Sequence, residues 1–176
     1  MLFDTKVRQI RIKKWVREGA TIGSNFQLER GAFLDSSFPW LITIGNNVTL
    51  APDVLVLCHD GSTKKAIGYS KVGAVVIGDN VFVGAKSIIL PNTIIGDNVV
   101  IGAGSIVGGE IPSNTVVAGA PAKVIQSYEE FKVKNEKRMA SGRTFDASYT
   151  KRGGVTQERK SEMRQILDDE PYGFIV

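Results

Sequence analysis

The chain has 176 residues, of which 43% are hydrophobic and 23% are charged, and this composition predicts one globular domain with some additional chain. It contains one histidine and one cysteine, which excludes an internal disulfide and a multi-ligand Cys/His zinc site within one subunit. The net charge is only +4, and no segment approaches the roughly 18 apolar residues needed to cross a membrane. We therefore expect a cytoplasmic protein without a metal site.

Basic charge is concentrated in the first seventeen residues, where Asp4 is the single acidic residue. The basic residues are Lys6, Arg8, Arg11, Lys13, Lys14 and Arg17. Such a run can contact a polyanion or an acidic membrane surface. The alternative is an ordinary solvated face beside apolar neighbours, which are Ile10, Ile12, Trp15 and Val16.

An array with a period of six covers most of the chain from residue 10 to residue 111. In its second half the aliphatic positions are Ile77, Val83, Ile89, Ile95, Ile101 and Val107. In its first half, which has an insertion around Phe38-Pro39-Trp40, they are Ile10, Val16, Ile22, Leu28, Leu34, Ile44, Leu50 and Val56. Neither a helix nor a simple strand has this period, so the array predicts short strands separated by tight turns. Each unit then forms one face of a solenoid whose aliphatic side chains stack inward.

Polar triplets recur where this solenoid must turn a corner. They are Gly45-Asn46-Asn47, Gly78-Asp79-Asn80 and Gly96-Asp97-Asn98. Glycine and asparagine tolerate the left-handed backbone values that a tight corner requires. We therefore predict that Asp79 and Asp97 are corner residues without a catalytic role.

A polar stretch from His59 to Gly73 interrupts the array and predicts a loop that protrudes from it. The stretch contains Lys64, Lys65, Tyr69 and Lys71. Loops on a rigid scaffold commonly carry binding specificity, and these lysines favour an anionic ligand. The alternative is a solvated loop without a ligand.

The repeats stop after Ile125, and the composition changes. Ser127 and Glu130 form a capping box that predicts a helix to about Ala140, and Thr156 to Leu167 predicts a second helix. Basic and acidic residues nearly cancel in this tail, which excludes a nucleic-acid-binding extension. The predicted domains are residues 1–125, with the loop 59–74 inserted, and a helical extension at 126–176.

Several blocks of the array together resemble the hexapeptide-repeat acyltransferases. These blocks are Ile77 to Gly84, Ile95 to Val107, Ile111-Pro112-Ser113-Asn114 and Ala118 to Ile125. The chain is most similar to the maltose, galactoside and surface-polysaccharide O-acetyltransferases. The resemblance implies an all-β fold, a left-handed parallel β-helix with a protruding loop and a C-terminal α-helical extension. It also implies a homotrimer with active sites between subunits, acetyl-CoA as the donor, and direct transfer to a hydroxyl or an amine.

The resemblance assigns the role of general base to His59, which stands where the loop leaves the β-helix. A hydroxyl is a poor nucleophile, and a base that removes its proton contributes about 10²–10⁴-fold in rate. Imidazole suits this task near neutral pH. The alternative is a surface histidine without a role, and the group that orients the ring stays open among Asp35, Asp60 and Glu110. Cys58 is expected to be a small buried residue, not a nucleophile.

The resemblance also implies residues that bind the two substrates. Ala85 and Ala103 match small residues beside the pantetheine arm, with the Ala85 N–H as oxyanion donor, and Lys123 matches a basic residue at the phosphates. Gly108 belongs to the same predicted cofactor site, although the Gly108-Gly109 pair differs from the Thr-Lys pair of relatives. Asp35 matches an acidic segment that contacts acceptor sugars. The alternatives are corner packing for the alanines and an exposed lysine.

We predict transfer of acetyl from acetyl-CoA to a sugar hydroxyl, on a free, nucleotide-linked or lipid-linked saccharide such as a surface-polysaccharide precursor. One alternative is N-acetylation of an amino sugar or an antibiotic. A non-catalytic β-helix scaffold is the alternative of another class. No nucleic-acid partner is predicted, and the basic N-terminus leaves open an association with a membrane surface.

Overall fold

The computed structural model describes residues 2–169 and 172–176, except for the side chains of residues 2–6 and 141. The described chain forms two compact units, Met1–Tyr128 and Glu129–Val176. The helices are α1 (Leu2–Arg17), α2 (Lys64–Ile67), α3 (Tyr128–Ser141) and α4 (Gln157–Asp169). The strands are β1 (Thr21–Ile22), β2 (Gln27–Leu28), β3 (Phe33–Leu34), β4 (Ile42–Ile44), β5 (Thr49–Leu50), β6 (Leu55–Val56), β7 (His59–Asp60), β8 (Lys71–Val72), β9 (Val75–Ile77), β10 (Phe82–Val83), β11 (Ile88–Ile95), β12 (Val100–Ile101), β13 (Ile106–Ile111), β14 (Thr115–Gly119), β15 (Ala122–Ser127), β16 (Arg143–Phe145) and β17 (Gly173–Ile175).

The first unit is a coil of short parallel strands arranged in three ladders. The first ladder joins β1, β4, β9 and the later parts of β11 and β13, and the second joins β2, β5, β10, β12 and β14. The third joins β3, β6 and the earlier parts of β11 and β13. Each ladder pairs residues of successive coils, for example Thr43 with Val76 and Val76 with Ile94. The predicted succession of short parallel strands and turns is confirmed.

The inside of the coil is filled by the aliphatic positions of the array. Ile77, Val83, Ile89, Ile95, Ile101 and Val107 are all buried. Ser87, Thr93 and Ser105 also point inward, but their hydroxyls are satisfied. Those of Ser87 and Ser105 donate to the Gly102 carbonyl at 3.1 and 2.6 Å, and that of Thr93 donates to the Leu90 carbonyl at 2.7 Å. The polar residues therefore cost little at these buried positions.

The corner between the first and second ladders is built from the polar triplets. Its left-handed residues, with φ between 55° and 61°, are Asn25, Asn47, Asn80, Asn98 and Asn114. Their side-chain amides form a column of hydrogen bonds of 2.9 to 3.1 Å along the coil. A Cβ on Gly78 would lie 2.3 Å from the Asp97 carboxylate, which accepts the Asp79 N–H at 2.7 Å. The prediction that Asp79 and Asp97 are corner residues is confirmed.

The array begins later than its period predicts. Ile10 and Val16 lie on α1, exposed by 66% and 47%, and so do not belong to the coil. The helix packs through Trp15, which is buried and contacts Phe33 edge-on. The prediction that Ile10 and Val16 belong to the array is therefore wrong. The helix packs on the core through Ile12 and Trp15, which are three residues apart and lie on one helical face.

The basic run on α1 is partly engaged by the coil itself. Arg8 donates to the Leu28 carbonyl at 3.0 Å and pairs with Glu29 at 2.9 Å. Arg11 donates to the Ala32 carbonyl at 3.0 Å and lies over the Trp15 ring. The exposed basic side chains of this segment are Lys13, Lys14 and Arg17, and Lys6 falls among the side chains that the structure does not describe.

At the other end of the coil, β15 turns back and pairs antiparallel with β14. In the second unit, β16 and β17 pair in parallel, and α4 lies between them in the chain. Its buried Phe145 packs against the ring of Tyr149 at 5.1 Å. Both helices predicted in the tail are present. Among the described residues, no helix has the length and apolar character needed to cross a membrane.

Candidate active site

The polar stretch predicted as a loop leaves the coil at the corner between the third and first ladders, which we call the third corner. Its two ends pair as the antiparallel strands β7 and β8, which place His59 opposite Val72. Asp60 accepts the Ser62 N–H at 2.8 Å and pairs with Lys71 at 3.0 Å. The Ser62 N–H and the Lys71 ammonium lower the pKa of Asp60 to about 2. Asp60 is therefore a carboxylate whose oxygens are engaged within the loop by Ser62 and Lys71.

The imidazole of His59 is held by Asp35 from the preceding coil. The His59 Nδ1 lies 2.5 Å from the Asp35 Oδ2, and the His59 side chain is 41% exposed whereas that of Asp35 is 2% exposed. A carboxylate only accepts hydrogen bonds, so the Nδ1 carries the proton and donates it to Asp35. The Nε2 lone pair is then available to an external proton donor. The pair brings together two of the predicted site residues.

Asp35 is anchored by backbone donors as well. Its Oδ2 accepts the Cys58 N–H at 2.9 Å, and its Oδ1 accepts the Ser37 N–H at 2.9 Å. Burial raises the pKa of the Asp35 carboxyl, but these two N–H groups and His59 outweigh it, so the pKa lies below its usual value. Asp35 is therefore a buried anion that accepts three hydrogen bonds, one of them from the imidazole.

Cys58 does not supply a nucleophile. Its side chain is buried in the coil, and burial together with the nearby Asp35 charge raises the pKa of the thiol to about 11. A thiol with this pKa is protonated at neutral pH, and only the thiolate is nucleophilic. The structure thus agrees with the expectation that Cys58 is a small buried residue.

A cavity of about 810 Å³ opens beside the exposed side of His59. One wall comes from the loop and includes Lys71 and Val72, and the other comes from the third corner of the next coil and includes Leu90 and Pro91. The lining is mainly apolar with a few polar groups, which is typical of ligand sites. Lys71 is the loop lysine among the lining residues, and it pairs with Asp60 at 3.0 Å.

The predicted cofactor residues are distributed over other parts of the coil. Ala85 and Ala103 stack on successive coils at the corner between the second and third ladders, where the Gly104 N–H donates to the Ala85 carbonyl at 2.8 Å. Lys123 is exposed on β15. Gly108 lies at the third corner, close to Leu90 of the cavity. The cavity within one chain therefore includes His59 but none of these four residues among its lining.

The sequence prediction missed the aromatic contact of His59. The Phe38 ring is tilted against the imidazole at 5.4 Å between centroids, and the Trp40 ring meets Phe38 edge-on at 5.8 Å. The insertion around Phe38-Pro39-Trp40 was the available signal, because it interrupts the period at the same corner of the coil as His59. Among the described residues, no group of three or more His, Cys, Asp or Glu side chains could hold a metal ion.

Several known proteins are similar to this chain. The family model described as "Bacterial transferase hexapeptide (six repeats)" matches residues 74–109. The chain is 41% identical to Protein CapG of Staphylococcus aureus over 140 residues, which are 76% of this chain and 76% of that protein. It spans between 50% and 60% of the next four curated relatives.

Two solved structures are similar as well. A maltose O-acetyltransferase from Clostridium difficile 630 is 42% identical with a TM-score of 0.51, over 60% of this chain and 57% of that one. The acetyltransferase VCA0836 from Vibrio cholerae, solved with acetyl-CoA, is 26% identical with a TM-score of 0.56, over 62% of this chain and 61% of that one.

Proposed function

This chain belongs to the hexapeptide-repeat acetyltransferases, whose acyl donor is acetyl-CoA, and from that premise we propose that it acetylates a hydroxyl of a saccharide with His59 as general base. The observation that carries the proposal is the pair of His59 and Asp35, which leaves the Nε2 free at the mouth of a cavity. The similarity to a maltose O-acetyltransferase supports a sugar as the acceptor class.

In the proposed reaction, the Nε2 of His59 takes the proton of the acceptor hydroxyl as its oxygen attacks the thioester carbonyl. The Asp35 carboxylate stabilises the imidazolium that forms, because the two groups are 2.5 Å apart and Asp35 is ionised. When the tetrahedral intermediate collapses, the imidazolium returns its proton to the departing CoA thiolate. The proton thus passes from the acceptor hydroxyl through His59 to the CoA thiolate, and the acetyl group passes directly to the acceptor. No covalent enzyme intermediate forms, in agreement with the protonated state of Cys58.

Asp35 is proposed as a positioning residue in place of the sugar-binding role that the resemblance implied. Its two oxygens accept from Cys58, Ser37 and His59, and its side chain is buried. Because the Asp35 side chain is only 2% exposed, an acceptor hydroxyl has little access to these oxygens.

Acetyl transfer to a sugar can be tested by following thiol release from acetyl-CoA with a panel of neutral sugars and amino sugars. We expect at least one neutral sugar to be acetylated at a hydroxyl, as determined by mass spectrometry and NMR of the product. Acetylation of only the amine of an amino sugar would replace the proposal with N-acetylation. No turnover together with no binding of CoA would favour the scaffold alternative.

The complete site is proposed to form between copies of the chain in a homotrimer of left-handed β-helices. Ala85 and Ala103 lie at a different corner from His59, so one chain does not unite the donor residues with the base. A second copy can bring its own corner to His59. Apolar side chains exposed near the third corner and on the first ladder support such a contact, and they are Val76, Leu90, Ile94 and Ile106.

The contact can be tested with Ile94→Arg, which introduces a charge on an exposed ladder position beside Val76. We expect the wild type to have the mass of a trimer in light scattering, and Ile94→Arg to shift it to the monomer with loss of most of its acetyl-transfer activity. A matched control is Gln27→Arg on the second ladder, an exposed strand position in the first coil. A monomeric wild type with full activity would contradict the shared site.

A further inference from the structure

The insertion in the first coil presents an exposed indole beside the site. Pro39 to Leu41 form a short 3₁₀ turn, with Pro39 buried, and Trp40 is 61% exposed. The chain has two tryptophans, and the other, Trp15, is 4% exposed inside the core. An exposed tryptophan is unusual, because this side chain normally contributes its large apolar area to a core or an interface.

The backbone at Trp40 packs closely on the turn after α1. Its Cβ would lie 3.0 Å from a Cβ built on Gly19, a residue with φ of +107°, so the backbone of the insertion packs closely on the turn after α1. The Trp40 and Phe38 rings meet at 75°, and the Phe38 and His59 rings at 58°. The three rings therefore form one continuous row that ends at the imidazole.

The repeat itself does not require this row. The coil closes with a short corner in later turns, at Leu90-Pro91-Asn92 and at Gly108-Gly109, whereas the first coil inserts four extra residues at the same corner. The cavity walls come from the loop and the next coil, whereas Phe38 belongs to the first coil and contacts the imidazole. The acceptor hydroxyl must approach His59, and Phe38 and Trp40 are the aromatic side chains that extend from it.

We propose that Trp40 and Phe38 form a second carbohydrate subsite, which binds a sugar ring of an oligosaccharide acceptor one unit beyond the ring that is acetylated. This inference rests on the proposed saccharide acceptor. A flat, uncharged indole offers a surface for the C–H face of a pyranose ring, and its N–H can donate to a sugar hydroxyl. Trp40 is separated from His59 by one aromatic ring, that of Phe38.

If the subsite exists, KM depends on the length of the acceptor, and this dependence requires Trp40. We would measure KM for glucose against maltose, galactose against lactose, and N-acetylglucosamine against its β1,4-linked disaccharide. In the wild type, we expect at least one disaccharide to have a lower KM than the monosaccharide with which it is paired. Trp40→Ala raises the KM for that disaccharide about three- to tenfold and leaves the KM values for the monosaccharide and for acetyl-CoA unchanged. The KM of Trp40→Phe for the disaccharide lies between those of the wild type and Trp40→Ala.

Tryptophan fluorescence gives a second readout that does not depend on turnover. Trp15 is buried, so a saccharide-induced change in emission belongs to Trp40 and is absent in Trp40→Ala. If no sugar is acetylated but a disaccharide changes the emission, the proposed function fails and the subsite stands. If none of these saccharides changes the emission and the KM ratios equal those of Trp40→Ala, the subsite is overturned.

Other binding partners of the Trp40 ring would give different experimental results. A higher KM for acetyl-CoA in Trp40→Ala would assign the ring to the adenine of the donor. A lower mass of Trp40→Ala in light scattering would assign it to a neighbouring subunit. Either result overturns the proposal. Circular dichroism and thermal unfolding of Trp40→Phe, which keeps an aromatic ring on Phe38, verify that the insertion stays folded.

Discussion

Replacing His59 with alanine lowers kcat for acetyl transfer by about 10²- to 10⁴-fold, because the acceptor hydroxyl then attacks without a base. The Km values for acetyl-CoA and for the acceptor change little, since the imidazole acts in the transition state more than in binding. The measurement is steady-state thiol release from acetyl-CoA in saturating acceptor.

His59→Asn separates the base from the packing role of the ring. An asparagine amide can still donate to Asp35 from about the position of the Nδ1, but it has no Nε2 lone pair to accept a proton. We expect the same loss of kcat as in His59→Ala, with a thermal unfolding temperature close to that of the wild type. Full kcat in both variants would show that another group is the base.

Replacing Asp35 with asparagine lowers kcat by about 10²-fold or more, because the imidazolium loses its anionic partner and the ring is free to adopt the other tautomer. Three donors converge on the two carboxylate oxygens, so the amide also leaves one backbone N–H without an acceptor. We expect that unpaired group to cost about 1–3 kcal/mol of unfolding free energy, which thermal or urea unfolding measures.

Asp97→Ala is a control for this loss of stability. Asp97 also accepts a backbone N–H, from Asp79 at 2.7 Å, but it lies at the corner between the first and second ladders, away from His59. Alanine removes this acceptor, so the variant is expected to be destabilised with kcat unchanged. If Asp35→Asn and Asp97→Ala lowered kcat equally, Asp35 would be a purely structural residue.

The coil was predictable because its geometry and its sequence share one period. A buried aliphatic residue and a left-handed corner recur along the coil, and both are visible in the sequence, for example at Ile95 and Asn98. The same reasoning extended the array too far, because the spacing of six between Ile10 and Val16 is coincidental: both residues are exposed on α1 and do not pack in the coil.

The site was less predictable than the coil. The resemblance predicts His59 as the base from its position before the loop, but the sequence leaves its partner open among three carboxylates. Asp35 reaches His59 because the two coils stack at one corner, and the register between them passes through an insertion whose effect a sequence does not show. Phe38 was missed for the same reason, since its contact with the imidazole depends on how the inserted turn folds back.

The hydrogen bonds at the two ends of the coil limit how the protein can assemble. Parallel strands with free N–H and C=O groups are a template for further strands, and an uncovered solenoid would polymerise end to end. Arg8 and Arg11 occupy the outer carbonyls of Leu28 and Ala32 in the first coil, and β15 covers β14 in the last. These contacts hinder the addition of a further strand at two carbonyls of the first coil and along the second ladder at the last coil.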